Sequence, residues 1–200
     1  MTKTVDFIFD FASPNAYLSD KILRGIAART GATINYIPCL LGGIFKTTGN
    51  QAPMIAFAPV KGKMAYEMLE TRRFIARHGL SAFKMNPHFP VNTLIMMRGA
   101  IAAQNDGRLG EYIDAGLAAM WEQGLKMDDA GVYVAAMNAA GFDGADLLAR
   151  TQDADVKAAL AANTDAAAAR GAFGIPTFYV GDEMFFGKER LGQVEEMLHQ

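Results

Sequence analysis

Cysteine occurs once in the 200 residues, as Cys39. That excludes an intrachain disulfide, fits a reducing compartment, and removes the Cys-x-x-Cys pair on which disulfide exchange depends. Charge of either sign is not in excess: 19 Lys and Arg against 21 Asp and Glu give a net charge of −2. The footprint expected of a nucleic-acid or anionic-membrane binder is therefore missing. No apolar run reaches transmembrane length, since Arg98 interrupts the segment from Leu94 to Ala103. The N-terminus is expected to carry no signal peptide, because Asp6 and Asp10 break its early apolar run, so a cytoplasmic protein is expected. The three histidines (His78, His88, His199) are not placed by sequence as a base for a serine, and a Gly-x-Ser-x-Gly elbow is absent. No His, Cys and Asp cluster has metal-ligand spacing, so no metal is expected. No internal repeat of fixed period is visible.

What is present is an ordinary soluble composition, 51% hydrophobic and 20% charged. Val5 to Phe11 is a nearly continuous apolar strand, a pattern that predicts burial on both faces. Ala16 to Ala28 repeats apolar residues at helical spacing, with Gly31 as a stop. Thr33 to Leu41 is β-branched and aromatic and reads as a second strand, completing a right-handed parallel βαβ unit. From about Lys61 to Arg170 the pattern is helical, with segments at Val91–Asn105, Leu109–Gln123, Ala130–Ala140, Ala145–Leu148 and Val156–Arg170. Strands return at Thr177–Val180 and Glu183–Phe186, joined by a Gly181-Asp182 hairpin turn. A last helix covers Lys188–Leu198. The order predicts an α/β thioredoxin-like fold, βαβ then ββα, formed by residues 1–60 and 171–200 and interrupted by an all-helical insertion at 61–170.

Ser13 is the residue with most chemical promise. It precedes Pro14, and Pro is favoured at the first helical position while Ser is a natural N-cap. Its hydroxyl would lie where free N–H groups and the helix dipole attract an anion. In a thiol-redox protein this corner carries a reactive cysteine. Here a hydroxyl stands there, which suits binding a thiolate rather than supplying one; by itself, such a serine reads first as an ordinary cap. Lys46 and Asn50 read as part of a Gly-rich loop without the Gly-x4-Gly-Lys-[Ser/Thr] order of a phosphate loop. Arg98 reads as structural. Cys39 reads as a small buried residue, and Met64, Met68, Met85, Met96 and Met97 as core.

The segments Asp10-Phe11-Ala12-Ser13-Pro14-Asn15-Ala16-Tyr17, Gly42–Asn50, Asn86–Thr93, Gly171–Phe178 and Phe185–Leu191 span nearly the whole chain. In that order they resemble the 2-hydroxychromene-2-carboxylate isomerase family, within the DsbA-like and kappa-class glutathione transferase group of thioredoxin folds. The resemblance implies glutathione as cofactor, with Ser13 as the catalytic residue that hydrogen-bonds its sulfur. It implies a cis bond at Pro176 that turns the Ile175 backbone toward the peptide-like cofactor. The turn of Phe186, Gly187, Lys188 and Glu189 would hold the γ-glutamyl end. Lys46, Asn50 and Asn86 would bind the carboxylate or developing enolate of a small aromatic substrate. It also implies a homodimer. A kappa-like glutathione transferase and a non-catalytic thioredoxin-like binding module remain as alternatives.

Overall fold

The computed structural model describes residues 3–200, so the first two positions of the expected 1–60 segment lie outside the described residues. A mixed four-stranded sheet has the order β2-β1-β3-β4, with β1 Thr4–Phe9, β2 Thr33–Pro38, β3 Thr177–Val180 and β4 Glu183–Phe186. β1 runs parallel to β2 and antiparallel to β3, which pairs antiparallel with β4. The expected βαβ and ββα units are both present. Val5, Phe7, Ile8 and Phe9 are buried. Aromatic pairs across neighbouring strands fix the register: Phe7 lies opposite Tyr36 on one side and Phe178 on the other, with ring centroids 5.7 Å and 4.9 Å away.

Helix α1 (Pro14–Thr30) crosses from β1 to β2 and ends at Gly31, which adopts φ 69°. The C-terminal helix α10 (Leu191–His199) packs beside α1, preceded by a 3-10 turn at Lys188–Arg190. Between β2 and β3 the chain is helical: α2 (Leu41–Thr48), α3 (Pro53–Ala56), α4 (Lys63–His78), α5 (Leu94–Asn105), α6 (Leu109–Trp121), α7 (Ala130–Ala139), α8 (Gly144–Arg150) and α9 (Ala154–Ala169). One hydrophobic cluster joins these helices, α3 excepted, to the sheet.

Several boundaries and environments differ from expectation. The Gly42–Asn50 stretch is not a loop: Leu41–Thr48 is helix α2. Gly43 is there because α2 packs closely on α9; a Cβ on it would come within 2.8 Å of Thr164 Cγ2. The second strand stops at Pro38: after a last bond from the Cys39 N–H to the Phe9 carbonyl, the Leu40 N–H turns to the Thr164 hydroxyl and the Leu41 N–H to the Asp10 side chain. Met96 and Met97 are core, whereas Met68 (58% exposed) and Met85 lie at the surface. Helix α4 buries none of its residues fully. Only its later part touches the core, through half-buried Phe74 and Ile75.

Candidate active site

The corner between β1 and α1 is built as its residues suggest. Ser13 has extended backbone (φ −95°, ψ 115°) and caps α1, its Oγ accepting from the Ala16 N–H at 3.2 Å. The corner cannot drift, because the middle helices clamp it. The Trp121 indole N–H donates to the Phe11 carbonyl at 3.0 Å. The Phe11 ring lies against Gly116 of α6, where an added Cβ would come within 2.5 Å of the ring.

Across the corner stands the loop before β3. The Ile175–Pro176 bond is cis, as the resemblance implies, and so is Phe89–Pro90. The Ser13 hydroxyl donates to the Ile175 carbonyl at 3.1 Å, and Ser13 is only 5% exposed. The Ile175 N–H has no acceptor among the described residues. Ser13 and Ile175 are thus adjacent, one offering a rotatable hydroxyl and the other an unused amide donor.

Asn50, just beyond α2, donates through Nδ2 to the Phe173 carbonyl at 2.7 Å, and its Oδ1 accepts from the Gln51 N–H. It therefore ties the end of α2 to the segment leading into the cis bond and keeps one N–H unused. The Phe186 ring meets the same segment, packing beside Gly174 and against the Phe173 ring at 4.5 Å. Phe45 of α2 also comes near Gly174, where an added Cβ would be 4.0 Å from its ring. Lys46 follows it on α2, exposed to solvent. The structure thus gathers Ser13, Ile175, Asn50 and Phe186 around one loop and puts Lys46 on the helix that borders it.

Three expectations need correction. Asn86 is not a substrate donor: its Nδ2 hydrogens go to the Met120 and Leu125 carbonyls, each at 2.9 Å, and its Oδ1 accepts from the His88 N–H. It is a buried staple between loops. The Gly187 N–H is not free for a carboxylate, since it donates to the Pro176 carbonyl at 3.0 Å. The Lys188 side chain is not an open ligand contact. It is 4% exposed, its ammonium pairs with the Glu189 carboxylate and lies 5.6 Å over the Phe74 ring. Glu189 is the exposed member of that pair. Arg98 is structural, donating to the Thr151 carbonyl.

Sequence reasoning passed over Asp10, using it only as a break in an apolar run. It is 1% exposed and accepts three hydrogen bonds: from the Ala12 N–H (2.9 Å), the Leu41 N–H (2.8 Å) and the Thr93 hydroxyl (2.6 Å). Burial raises its pKa above the usual carboxylate value, and the hydrogen bonds work against that rise. A charged residue inside a strand that otherwise reads as buried on both faces was the available signal. Cys39 lies nearby, also fully buried; burial, and then the Asp10 charge, push its thiol up to about 12. A thiol so placed is no nucleophile. Any thiolate acting at the Ser13 corner must come from elsewhere.

The DsbA-like thioredoxin domain family matches residues 4–199. The chain belongs to that family. The 2-hydroxychromene-2-carboxylate isomerase of Pseudomonas putida is 27% identical over 97% of this chain and 93% of its own. A solved structure of a 2-hydroxychromene-2-carboxylate isomerase superposes with a TM-score of 0.82 at 27% identity, covering 96% of this chain and 93% of that one. Glutathione S-transferase kappa 1 of Rattus norvegicus is 25% identical over 94% of this chain and 88% of its own. This DsbA-like chain therefore resembles isomerases of that name over nearly its whole length.

Proposed function

We propose that the protein is a glutathione-dependent isomerase interconverting 2-hydroxychromene-2-carboxylate and trans-o-hydroxybenzylidenepyruvate in the catabolism of naphthalene-type aromatics. The observation that carries this reading is the serine hydroxyl at the α1 N-terminus beside the unused Ile175 amide, in a chain whose one cysteine is buried and unreactive. Similarity to the isomerases over nearly the full length supports the choice of reaction.

The donor set fits a thiol peptide. The unpartnered Ile175 N–H suits the backbone of an extended peptide, which would add to the site as a short strand does. Bound glutathione would supply the thiolate that adds to a conjugated carbon of the substrate and leaves again after rotation about the bond so freed. Ser13 exchanges its bond to the Ile175 carbonyl for one to the sulfur, and with the helix N-terminus it favours the thiolate over a thiol of ordinary pKa near 8.5. Lys46 gives fixed positive charge where the enolate develops, and Asn50 gives its remaining N–H. At the γ-glutamyl end, the amides of Lys188 and Glu189 and the exposed Glu189 carboxylate are the groups left to bind it.

We read the active form as a cytoplasmic homodimer of chains in which residues 61–170 are an insertion into a thioredoxin unit. Exposed Met54, Ile55, Val60, Tyr66 and Met68 support the dimer, since they are large apolar side chains left in solvent along one stretch of chain whose long helix buries nothing fully. Similarity to the kappa transferase favours a second reading, in which the same thiolate attacks an electrophile and stays on it. Product mass separates the two. An isomerase returns a product of the substrate's own mass, whereas a product that has gained the mass of glutathione would establish the transferase.

A further inference from the structure

We propose that Asp10 is a positioning residue of this site, the joint that sets the Ser13 corner against the helix carrying Lys46. The inference rests on the functional reading above and deepens it. Asp10 stands three positions before Ser13, and its own carbonyl accepts the Ser13 N–H at 3.2 Å. Its carboxylate oxygen Oδ1 holds the Ala12 N–H and the Thr93 hydroxyl, while Oδ2 holds the Leu41 N–H. Those donors belong to three segments: the corner itself, the start of α5 and the first residue of α2. The Leu41 N–H has Asp10 as its acceptor because the N-cap residue of α2 is Leu40, whose side chain offers none; the Leu40 N–H itself goes to the Thr164 hydroxyl of α9. Thr93 stands at the N-cap position of α5 yet does not cap its own helix, its hydroxyl being given to Asp10. One buried carboxylate thus ties the corner that would hold the sulfur to the start of the helix carrying the cation that would face the enolate.

Asp10→Asn tests this with almost no change in size. An amide has one acceptor oxygen, and the Thr93 hydroxyl can donate to it or accept from its NH2, so one backbone N–H, Ala12 or Leu41, loses its acceptor; the turn to Ala12, closed two residues along the same segment, should be the bond kept. The α2 link is then the one lost. For the folded variant we expect kcat/KM for the aromatic substrate to fall roughly tenfold, the scale of misplaced catalytic groups. Glutathione affinity, measured by calorimetry, should stay within about twofold of wild type, because the Ser13 and Ile175 side is retained. The loss should also vanish in a Lys46→Met background, where the positioned group is gone. Thr93→Val, which keeps the carboxylate, should lower kcat/KM about threefold and Thr93→Ser should restore it, a pair that decides the matter if Asp10→Asn does not fold. A purely structural Asp10 would lower only thermal stability, leaving kcat/KM of the folded enzyme unchanged; that result, parallel loss of glutathione affinity, or full additivity with Lys46→Met would overturn the proposal. Wild-type enzyme that neither binds glutathione nor depends on it would overturn the functional reading itself, and this inference with it.

Discussion

At the residue scale the chemistry comes down to which hydroxyl and which thiol are available. Ser13 offers a hydroxyl that caps the Ala16 N–H through its oxygen and gives its proton to the neighbouring Ile175 carbonyl, a bond it can exchange. Ser13→Ala leaves the helix N-terminus but removes the donor, so the bound thiol should ionise at higher pH. Turnover should then fall by about 10 to 100-fold near neutrality, as for loss of a hydrogen bond to a charged group. The deficit should shrink as pH rises through the raised thiol pKa, since thiolate then forms without help; a pH–rate profile parallel to wild type would contradict this role. Cys39 behaves oppositely. With its pKa pushed up to about 12 by burial, it stays a protonated thiol across the physiological range, and native protein should not react with maleimide until it is unfolded. Asn86 belongs to the fold, not the substrate. Asn86→Ala leaves two buried carbonyls without donors and should cost about 2 kcal/mol of stability, read by urea denaturation, with KM unchanged.

At the scale of elements, the strands and the first helix were legible because their signals are local. An apolar strand, a Ser-Pro cap, a glycine stop and a hairpin turn each act within a few residues, and each is found where those residues stand. Helix α2 was hidden for the reason that makes it useful: Gly43 looks like loop composition but allows the close approach to Thr164 on α9. Lys188, expected at the γ-glutamyl end, could not be recognised as a buried residue from its place in a first turn, since the Phe74 ring it lies over comes from α4. The Asp10 network was unreadable in principle beyond its anomaly, since its donors come from residues 12, 41 and 93. The clamp on the Ser13 corner belongs to α6. Gly116→Ala forces a methyl into the Phe11 ring and should destabilise the protein by about 1–3 kcal/mol, lowering Tm and loosening the corner with it.

At the scale of the molecule, a thioredoxin-like sheet supplies the corner and the cis-proline loop, and the helices between β2 and β3 supply α2 and the clamp. This division puts Ser13 just past the end of β1 and Lys46 on α2, on opposite sides of the junction between sheet and helices. The surface of residues 53–68 carries a second expectation. Replacing exposed Met68 by Glu should convert a dimer to monomers in sedimentation equilibrium, and a wild-type monomer at micromolar concentration would contradict that assembly. The central claim is that the nucleophile is borrowed, and one measurement tests it most directly: the rate of 2-hydroxychromene-2-carboxylate isomerisation as glutathione is titrated from zero. The account predicts no enzymatic rate at zero and a saturable rise to full turnover; the same rate with and without glutathione would contradict it.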